Sequence, residues 1–130
     1  MSIRIVPMDL NNSEFLGKVI PQIQNDYFVN YLNNDGWYKY QKSGIEAENG
    51  DLLLFQINNL IIASAIYDMP MRKINQFIVR KGTVKVFKPI DKNEFQNIFD
   101  DFKRFSNAKY IFKPTKEQMD LLTKRMDVIE

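Results

Sequence analysis

The chain has 130 residues, of which 45% are hydrophobic and 26% charged, and its formal net charge is +2. This composition is ordinary for a globular domain with a hydrophobic core, so we expect a single domain over residues 1–130. Cysteine and histidine are absent, which excludes disulfides, thiolate chemistry, imidazole metal ligands and nucleophiles activated by histidine. An enzyme of this composition would depend on carboxylates, lysine or tyrosine.

The start of the chain carries no apolar stretch as long as a signal peptide or a membrane helix. We therefore expect a cytoplasmic protein with no membrane partner, and the missing cysteines fit a reducing compartment. The abundance of Asn, Ile and Lys favours a bacterial or phage origin.

The first third of the chain predicts a strand followed by a helix. Residues 3–6 form a short strand candidate that Pro7 ends. Apolar residues then recur with helical spacing over residues 13–32, which predicts a helix that Pro21 kinks or divides into two. The polar residues and glycine at 33–36 predict the end of this helix.

The middle of the chain predicts a buried hairpin. Residues 52–57 and 60–67 are near-continuous apolar runs of strand length. Asn58 and Asn59 between them tolerate positive φ and suit a tight hairpin turn. Strands that are apolar on both faces lie inside a closed or covered sheet, so we expect helices to cover the hairpin or the strands to roll into a small barrel.

The last third predicts two further strands and two helices. Residues 75–79 and 83–87 are strand candidates around a turn, and Pro89 ends the second. Residues 93–105 carry phenylalanines on one helical face, which predicts core packing, and Thr115 caps a last helix. This order of elements indicates an α+β fold, and we expect a small mixed β-barrel flanked by helices.

Three stretches, SGIEAENGDLLLF, LIIASAIYD and GTVKVFKPIDKNEF, resemble the PUA-like superfamily, and within it the EVE and ASCH domains. Gly50 and Asp51 open an apolar strand that ends in an aromatic residue, a hairpin partner with small residues follows, and Pro89 stands at a later step into a helix. The similarity covers roughly residues 43–122. It implies a PUA-like barrel that binds RNA or DNA, and in EVE-like members often a modified base in an aromatic-lined pocket.

The hairpin also resembles the middle of acetyltransferases of the GNAT type, which hold the pyrophosphate of acetyl-CoA on a glycine-rich turn. Residues 68–81 contain no glycine, so we rank this resemblance below the PUA-like one and expect no cofactor. Glu46, Glu48 and Asp51 lie close in sequence, but their spacing matches no metal-binding loop. We expect neither a metal site nor catalysis there.

The first candidate site is a basic segment. Residues 69–90 contain no acidic residue, and a segment of one charge sign on strands and loops can follow a phosphate backbone. The cations that we assign to nucleic-acid binding are Arg72, Lys73, Arg80, Lys81 and Lys85. The alternative is that these lysines and arginines only blunt the edges of the sheet in solvent.

The second candidate site is an aromatic loop. Residues 37–49 show no clear period, so we expect a loop with at most a short strand. Trp37, Tyr38 and Tyr40 lie there beside Lys42, and aromatic rings stack on unpaired or flipped bases while lysine neutralises phosphate. The alternative is that Trp37 packs on the first helix and the tyrosines cover the core.

Ser64 completes the set of predicted site residues. It lies between Ala63 and Ala65 in the second hairpin strand, and small side chains let either a helix or a ligand approach a core strand. The function that we expect is a non-catalytic nucleic-acid binding module with RNA or DNA as partner, reading a modified or flipped base. The alternative is a small protein-interaction protein with no nucleic-acid ligand, and an enzyme ranks third.

Overall fold

The computed structural model describes residues 1–8, 15–38, 47–70, 76–100 and 111–129. These ranges hold seven strands and three helices in the order β1, α1, β2, β3, β4, β5, β6, α2, β7, α3. The strands are β1 (Ile3–Pro7), β2 (Trp37–Tyr38), β3 (Leu52–Ile57), β4 (Leu60–Pro70), β5 (Phe77–Val79), β6 (Lys85–Asp91) and β7 (Ile111–Phe112). The helices are α1, which runs through Ile20–Ile23, the π-helical Gln24–Leu32 and Asn33–Asp35, then α2 (Lys92–Ile98) and α3 (Lys116–Met126).

The strands form one sheet in the order β2-β5-β4-β3-β1-β7, and β6 also pairs with β4. The long strand β4 is the organising element, because β3 pairs along one edge while β6 and β5 pair with successive parts of it. The pairing of β1 with β3 is parallel, and the other strand pairs are antiparallel.

The predicted α+β class is confirmed, but the predicted closed barrel is wrong. Over the ranges described above, the sheet ends in the two-residue strands β2 and β7, which do not pair with each other. Helices make closure unnecessary, since the central strands have a helical cover and an apolar cluster on each face. The strands at the two ends are short, which limits edge-to-edge association.

The two apolar clusters explain why the hairpin is apolar on both faces. One cluster joins the side chains of α1, including Phe28, to Leu53 and Phe55 of β3. The other joins Leu54 to the side chains of β1, α2 and α3, including Phe95. Consecutive residues of β3 therefore enter different cores, as the alternation of side chains along a strand requires.

A bulge in β4 lets its continuous apolar run fit both cores. Phe55 pairs with Ala63 and Gln56 with Ile61, so Ile62 is the extra residue of β4. Ile61 belongs to the α2–α3 side, whereas Ile62 and Ala63 both belong to the α1 side. The inserted residue thus shifts the alternation by one position.

The first helix begins later than its periodicity predicts. It starts at Ile20, so Pro21 lies in the first turn, where the missing N–H breaks no hydrogen bond; the predicted kink is wrong. Phe15 extended the apparent period, because it packs from a preceding turn edge-to-face on Tyr27 at a centroid distance of 5.1 Å. Gly36 ends α1 in the left-handed conformation, as predicted.

Two other local predictions are confirmed and one is wrong. Asn58 and Asn59 have φ of 52° and 61°, which fits the tight hairpin turn, and Thr115 accepts a hydrogen bond from the Gln118 N–H at 3.1 Å as the cap of α3. Pro89 does not end β6, which continues to Asp91. Pro89 is tolerated because it falls where the β4–β6 register shifts.

Candidate functional site

The aromatic pair at the start of the predicted loop is divided between the two faces of the sheet. Trp37 is 37% exposed, whereas Tyr38 is fully buried and stacks on Phe77 at a centroid distance of 4.9 Å. Neighbouring residues of a strand point to opposite faces, so these two rings do not share one pocket. Tyr38 is a core residue, and this corrects its assignment to the ligand-binding set.

Trp37 lies in register with two other apolar side chains on the outer face of the sheet. Trp37 is opposite Ile78 of β5, and Ile78 is opposite Met69 of β4. Met69 is 49% exposed and Ile78 is half-buried. Phe77 and Val79, which flank Ile78 on β5, face the core. We call Trp37, Ile78 and Met69 the outer-face stripe.

Sequence reasoning missed Met69 and Ile78 as surface residues. Phe77, Ile78 and Val79 form a strand in which only the middle residue faces outward. An apolar run of three residues shows no alternation, so its outward member cannot be recognised without the partner strand.

Gly36 places Lys81 beside the stripe. Its φ is +76°, and a Cβ there would lie 2.8 Å from the Val79 carbonyl oxygen and 3.4 Å from the Lys81 Cγ. The Val79 N–H donates to the Gly36 carbonyl at 2.7 Å. This close approach of backbones brings the end of β5 and the turn after it against the residue that precedes Trp37.

The described cations of the basic segment differ in their partners. Lys85 forms an ion pair with Asp127, so its charge is already balanced. Arg80 donates to the Asn49 side-chain oxygen, and neither Arg80 nor Lys81 has a carboxylate within ion-pair distance in the described ranges. Among the described cations of this segment, Arg80 and Lys81 therefore differ from Lys85 in having no carboxylate partner.

Four predicted site residues, Tyr40, Lys42, Arg72 and Lys73, lie outside the described residues. Their assignment to nucleic-acid binding stays a prediction.

Ser64 does not lie at a surface. It is 3% exposed, between Leu54 of β3 and Lys85 of β6. Ala63 and Ala65 belong to the cluster that α1 covers, so the small residues accommodate a helix. Ser64 faces the opposite side with its partner Leu54, and its burial there corrects its assignment to ligand binding.

The carboxylates near Gly50 have a structural role. The Asp51 carboxylate accepts from the Ser2 N–H at 3.0 Å and the Glu48 N–H at 2.9 Å, and it lies 3.9 Å from the Nε of buried Arg4. These contacts tie the start of β1 to the start of β3. Glu46 lies outside the described ranges, within which no group of acidic residues is arranged to hold a metal ion.

A cavity of about 280 Å³ lies at the start of α1, away from the outer-face stripe. Within it, the Gln24 amide donates to the Ile62 and Phe87 carbonyls at 2.9 and 2.7 Å. Its lining is mostly apolar and consists of Ile20, Pro21, Gln24, Val86, Phe87, Lys88, Pro89 and Ile129. Its volume is just below the range of about 300–1,000 Å³ that is usual for small-molecule sites.

The arrangement of strands and helices matches that of solved structures. The chain is similar to ASCH from Zymomonas mobilis, with a TM-score of 0.59 and 9% identity over 98% of both chains. The fold is ASCH-like. A tyrosine-to-phenylalanine variant of the same protein matches with a TM-score of 0.53 and 9% identity, covering 94% of this chain and 96% of that one.

Comparison of sequences identifies no relative of this chain. No family model matches the chain, and no curated protein matches it. The predicted resemblance to ASCH domains is confirmed for the fold alone. None of the described helices is both long enough and apolar enough to cross a membrane.

Proposed function

We propose that the chain is a non-catalytic nucleic-acid binding module with RNA or DNA as its partner. The observation that carries the proposal is that Lys81 lies against Gly36, the residue before the exposed Trp37, and that neither Arg80 nor Lys81 forms an ion pair with a carboxylate of the described residues. Cations bind phosphates, and an aromatic ring stacks on a base. The ASCH-like fold is compatible with this function.

The base-reading part of the proposal rests on Trp37. Tyr38 faces the core, so a modified or flipped base would stack on Trp37 and would be held by groups other than Tyr38. Stacking on one aromatic ring contributes about 1–3 kcal/mol per base. Two phosphate contacts would add affinity that falls as salt displaces the protein.

Anisotropy of labelled oligonucleotides tests the proposal. We expect RNA or DNA oligonucleotides to bind at low salt, and the logarithm of the binding constant to fall linearly with the logarithm of the salt concentration. Lys81→Gln should weaken binding for all sequences and lower the magnitude of the salt slope by about one. Lys124→Gln is the matched control, because Lys124 is an exposed cation on α3.

Two results would contradict the proposal. One is that no oligonucleotide binds at low salt. The other is that Lys81→Gln and Lys124→Gln change the affinity and the salt slope equally, since binding would then depend on net charge alone and not on this end of the sheet.

A further inference from the structure

The first helix has π-helical spacing in its middle. The Gln24 N–H bonds to the Ile20 carbonyl, as in an α-helix, whereas the Asn33 N–H bonds to the Phe28 carbonyl five residues earlier. A π-helix advances about 80° per residue, against about 100° in an α-helix. Because π-helical turns are rare and occur frequently at functional sites, the nine residues Gln24–Leu32 require a physical reason.

The buried side chains of α1 share one face only with this spacing. Ile23 and Leu32 are both fully buried and belong to the same core. They are nine positions apart, so an α-helix would place them on opposite sides, whereas a π-helix places them on the same side. Relative to Ile23, the same spacing turns Tyr31 by roughly 150° from the direction that an α-helix would give it.

Tyr31 links this helix to the start of β2. Its ring packs on the ring of Tyr27, with centroids 5.3 Å apart, and its hydroxyl donates to the Trp37 carbonyl at 3.0 Å. Tyr27 is itself buried in the core. The ring of Tyr31 is therefore fixed by the core, and its hydroxyl fixes the backbone of Trp37.

The Trp37 carbonyl lies at the open edge of the sheet. The Val79 N–H donates to the Gly36 carbonyl at 2.7 Å, and the next pair along the ladder is Trp37 with Ile78. Hydrogen-bonded and non-hydrogen-bonded pairs alternate between antiparallel strands, so the backbone polar groups of Trp37 point away from β5. Within the described ranges no strand pairs with that edge of β2, and Tyr31 supplies the hydrogen bond there.

We infer that Tyr31 is a positioning residue, which acts through the Trp37 carbonyl to hold the Trp37 ring where a base stacks on it. This inference rests on the proposed function, because it assigns a base to Trp37. A ring that is already ordered loses less conformational entropy when a base binds. Tyr31 thus contributes to affinity without contacting the nucleic acid, and the π-helical spacing of α1 is what brings it to Trp37.

Tyr31→Phe tests the inference, because it removes the hydroxyl and keeps the ring on Tyr27. We expect the affinity for oligonucleotides, measured by anisotropy, to fall roughly 2- to 10-fold. In the free protein, acrylamide should quench the fluorescence of Trp37, the only tryptophan, more strongly than before. Tyr67→Phe is the matched control and should change neither result, because it removes a hydroxyl from a tyrosine on the core-facing side of the sheet. Far-ultraviolet circular dichroism should show both variants folded.

The double variant that combines Tyr31→Phe with Trp37→Ala separates positioning from direct contact. If Tyr31 acts only through Trp37, Tyr31→Phe should have no further effect on affinity once Trp37 is replaced. An equal loss in both backgrounds would mean that Tyr31 contacts the nucleic acid itself, and would overturn the inference while the proposed function stands. The inference is also wrong if Tyr31→Phe behaves like Tyr67→Phe in both measurements.

Failure of the proposed function has a different signature. If no oligonucleotide binds the unaltered chain, the proposed function fails, and the base-stacking role of Trp37 fails with it. Acrylamide quenching needs no oligonucleotide, so it decides separately whether Tyr31 fixes Trp37. Unchanged quenching in Tyr31→Phe overturns the inference even when oligonucleotides bind.

Discussion

Gly36 is the residue on which the geometry of the candidate surface depends most. It ends α1 in a left-handed conformation and brings the Val79 carbonyl and the Lys81 side chain against the start of β2. Gly17 has nearly the same φ, +77° against +76°, but no atom lies within 4 Å of where its Cβ would be. Replacing Gly17 by alanine would therefore carry only the cost of the left-handed backbone conformation, whereas replacing Gly36 would also create a steric clash.

Replacing each glycine by alanine should give different losses of stability. Gly17→Ala should lower the free energy of unfolding by about 1 kcal/mol, since only the left-handed conformation is penalised. Gly36→Ala should lower it by about 2–4 kcal/mol, because its methyl group also meets the Val79 carbonyl oxygen. Urea denaturation followed by circular dichroism measures both, and equal losses would show that the close approach at Gly36 relaxes without cost.

Buried tyrosines at this end of the sheet have structural roles. Burial raises the pKa of the Tyr67 hydroxyl above its ordinary value, so the side chain is neutral at physiological pH. Tyr67 and Tyr38 both pack with Phe77. These contacts anchor the core-facing side of β5, whereas Ile78 lies on its outer side.

The element that needs most support from outside the sheet is β4. Its bulge at Ile62 and the register shift against β6 interrupt the ladder of backbone hydrogen bonds. The Gln24 amide from α1 donates to the carbonyls of Ile62 and Phe87 across that interruption. A side chain of the helix thus replaces hydrogen bonds that the irregular strands cannot make.

Gln24→Met tests whether the stability of β4 depends on the Gln24 hydrogen bonds. Methionine keeps the length of the side chain but donates no hydrogen bond, so we expect a loss of about 1–3 kcal/mol in the free energy of unfolding. Gln22→Met is the control, because Gln22 is an exposed residue whose oxygen accepts only the Val19 N–H of the same helix end. Hydrogen exchange at the β4–β6 junction should also quicken in Gln24→Met. Equal stability of the two variants would mean that water replaces the amide.

Helices α2 and α3 are joined to β6 by one arginine. Arg125 of α3 binds the Glu94 carboxylate of α2, with its Nε 2.6 Å from one oxygen, and its Nη2 donates to the Pro89 carbonyl at 2.9 Å. The C-terminal residues then return to β6, where the Lys88 N–H donates to the Val128 carbonyl at 2.8 Å. The far side of the sheet is therefore covered by connected elements.

At the scale of the whole molecule, two cores share one layer of strands. Ile61 and Ile62 are adjacent and fully buried, yet they belong to opposite clusters. Neither face can lose its packing without loosening strands that the other face also uses. We therefore expect the two cores to unfold together.

Ile61→Val and Ile62→Val test this coupling. Each removes one methylene from a different core and should lower the free energy of unfolding by about 0.5–1.5 kcal/mol. In both variants, Trp37 fluorescence and far-ultraviolet circular dichroism should report one coincident transition. Separate transitions in either variant would show that one core unfolds independently of the other.

Local sequence patterns were sufficient to predict the α+β class, the hairpin turn at Asn58 and Asn59, the end of α1 at Gly36 and the cap of α3 at Thr115. Each of these depends on the conformational preferences of a few neighbouring residues, which act before any distant contact forms. Composition also excluded disulfide and histidine chemistry. Short stretches around Gly50 and Asp51 carried the predicted resemblance to ASCH domains. The Asp51 carboxylate accepts hydrogen bonds that join the start of β1 to the start of β3.

The faces that the predicted residues occupy depend on contacts between distant parts of the chain. Trp37 and Tyr38 look alike in sequence, but their alternation on β2 sends one to solvent and the other into the core. Ser64 is buried on the face opposite the adjacent alanines, where its partner Leu54 also packs, and Lys85 forms an ion pair because the chain after α3 brings Asp127 to it. The sheet is open for the same reason: helices distant in sequence cover both faces of its central strands, and such long-range burial leaves no local pattern in the chain.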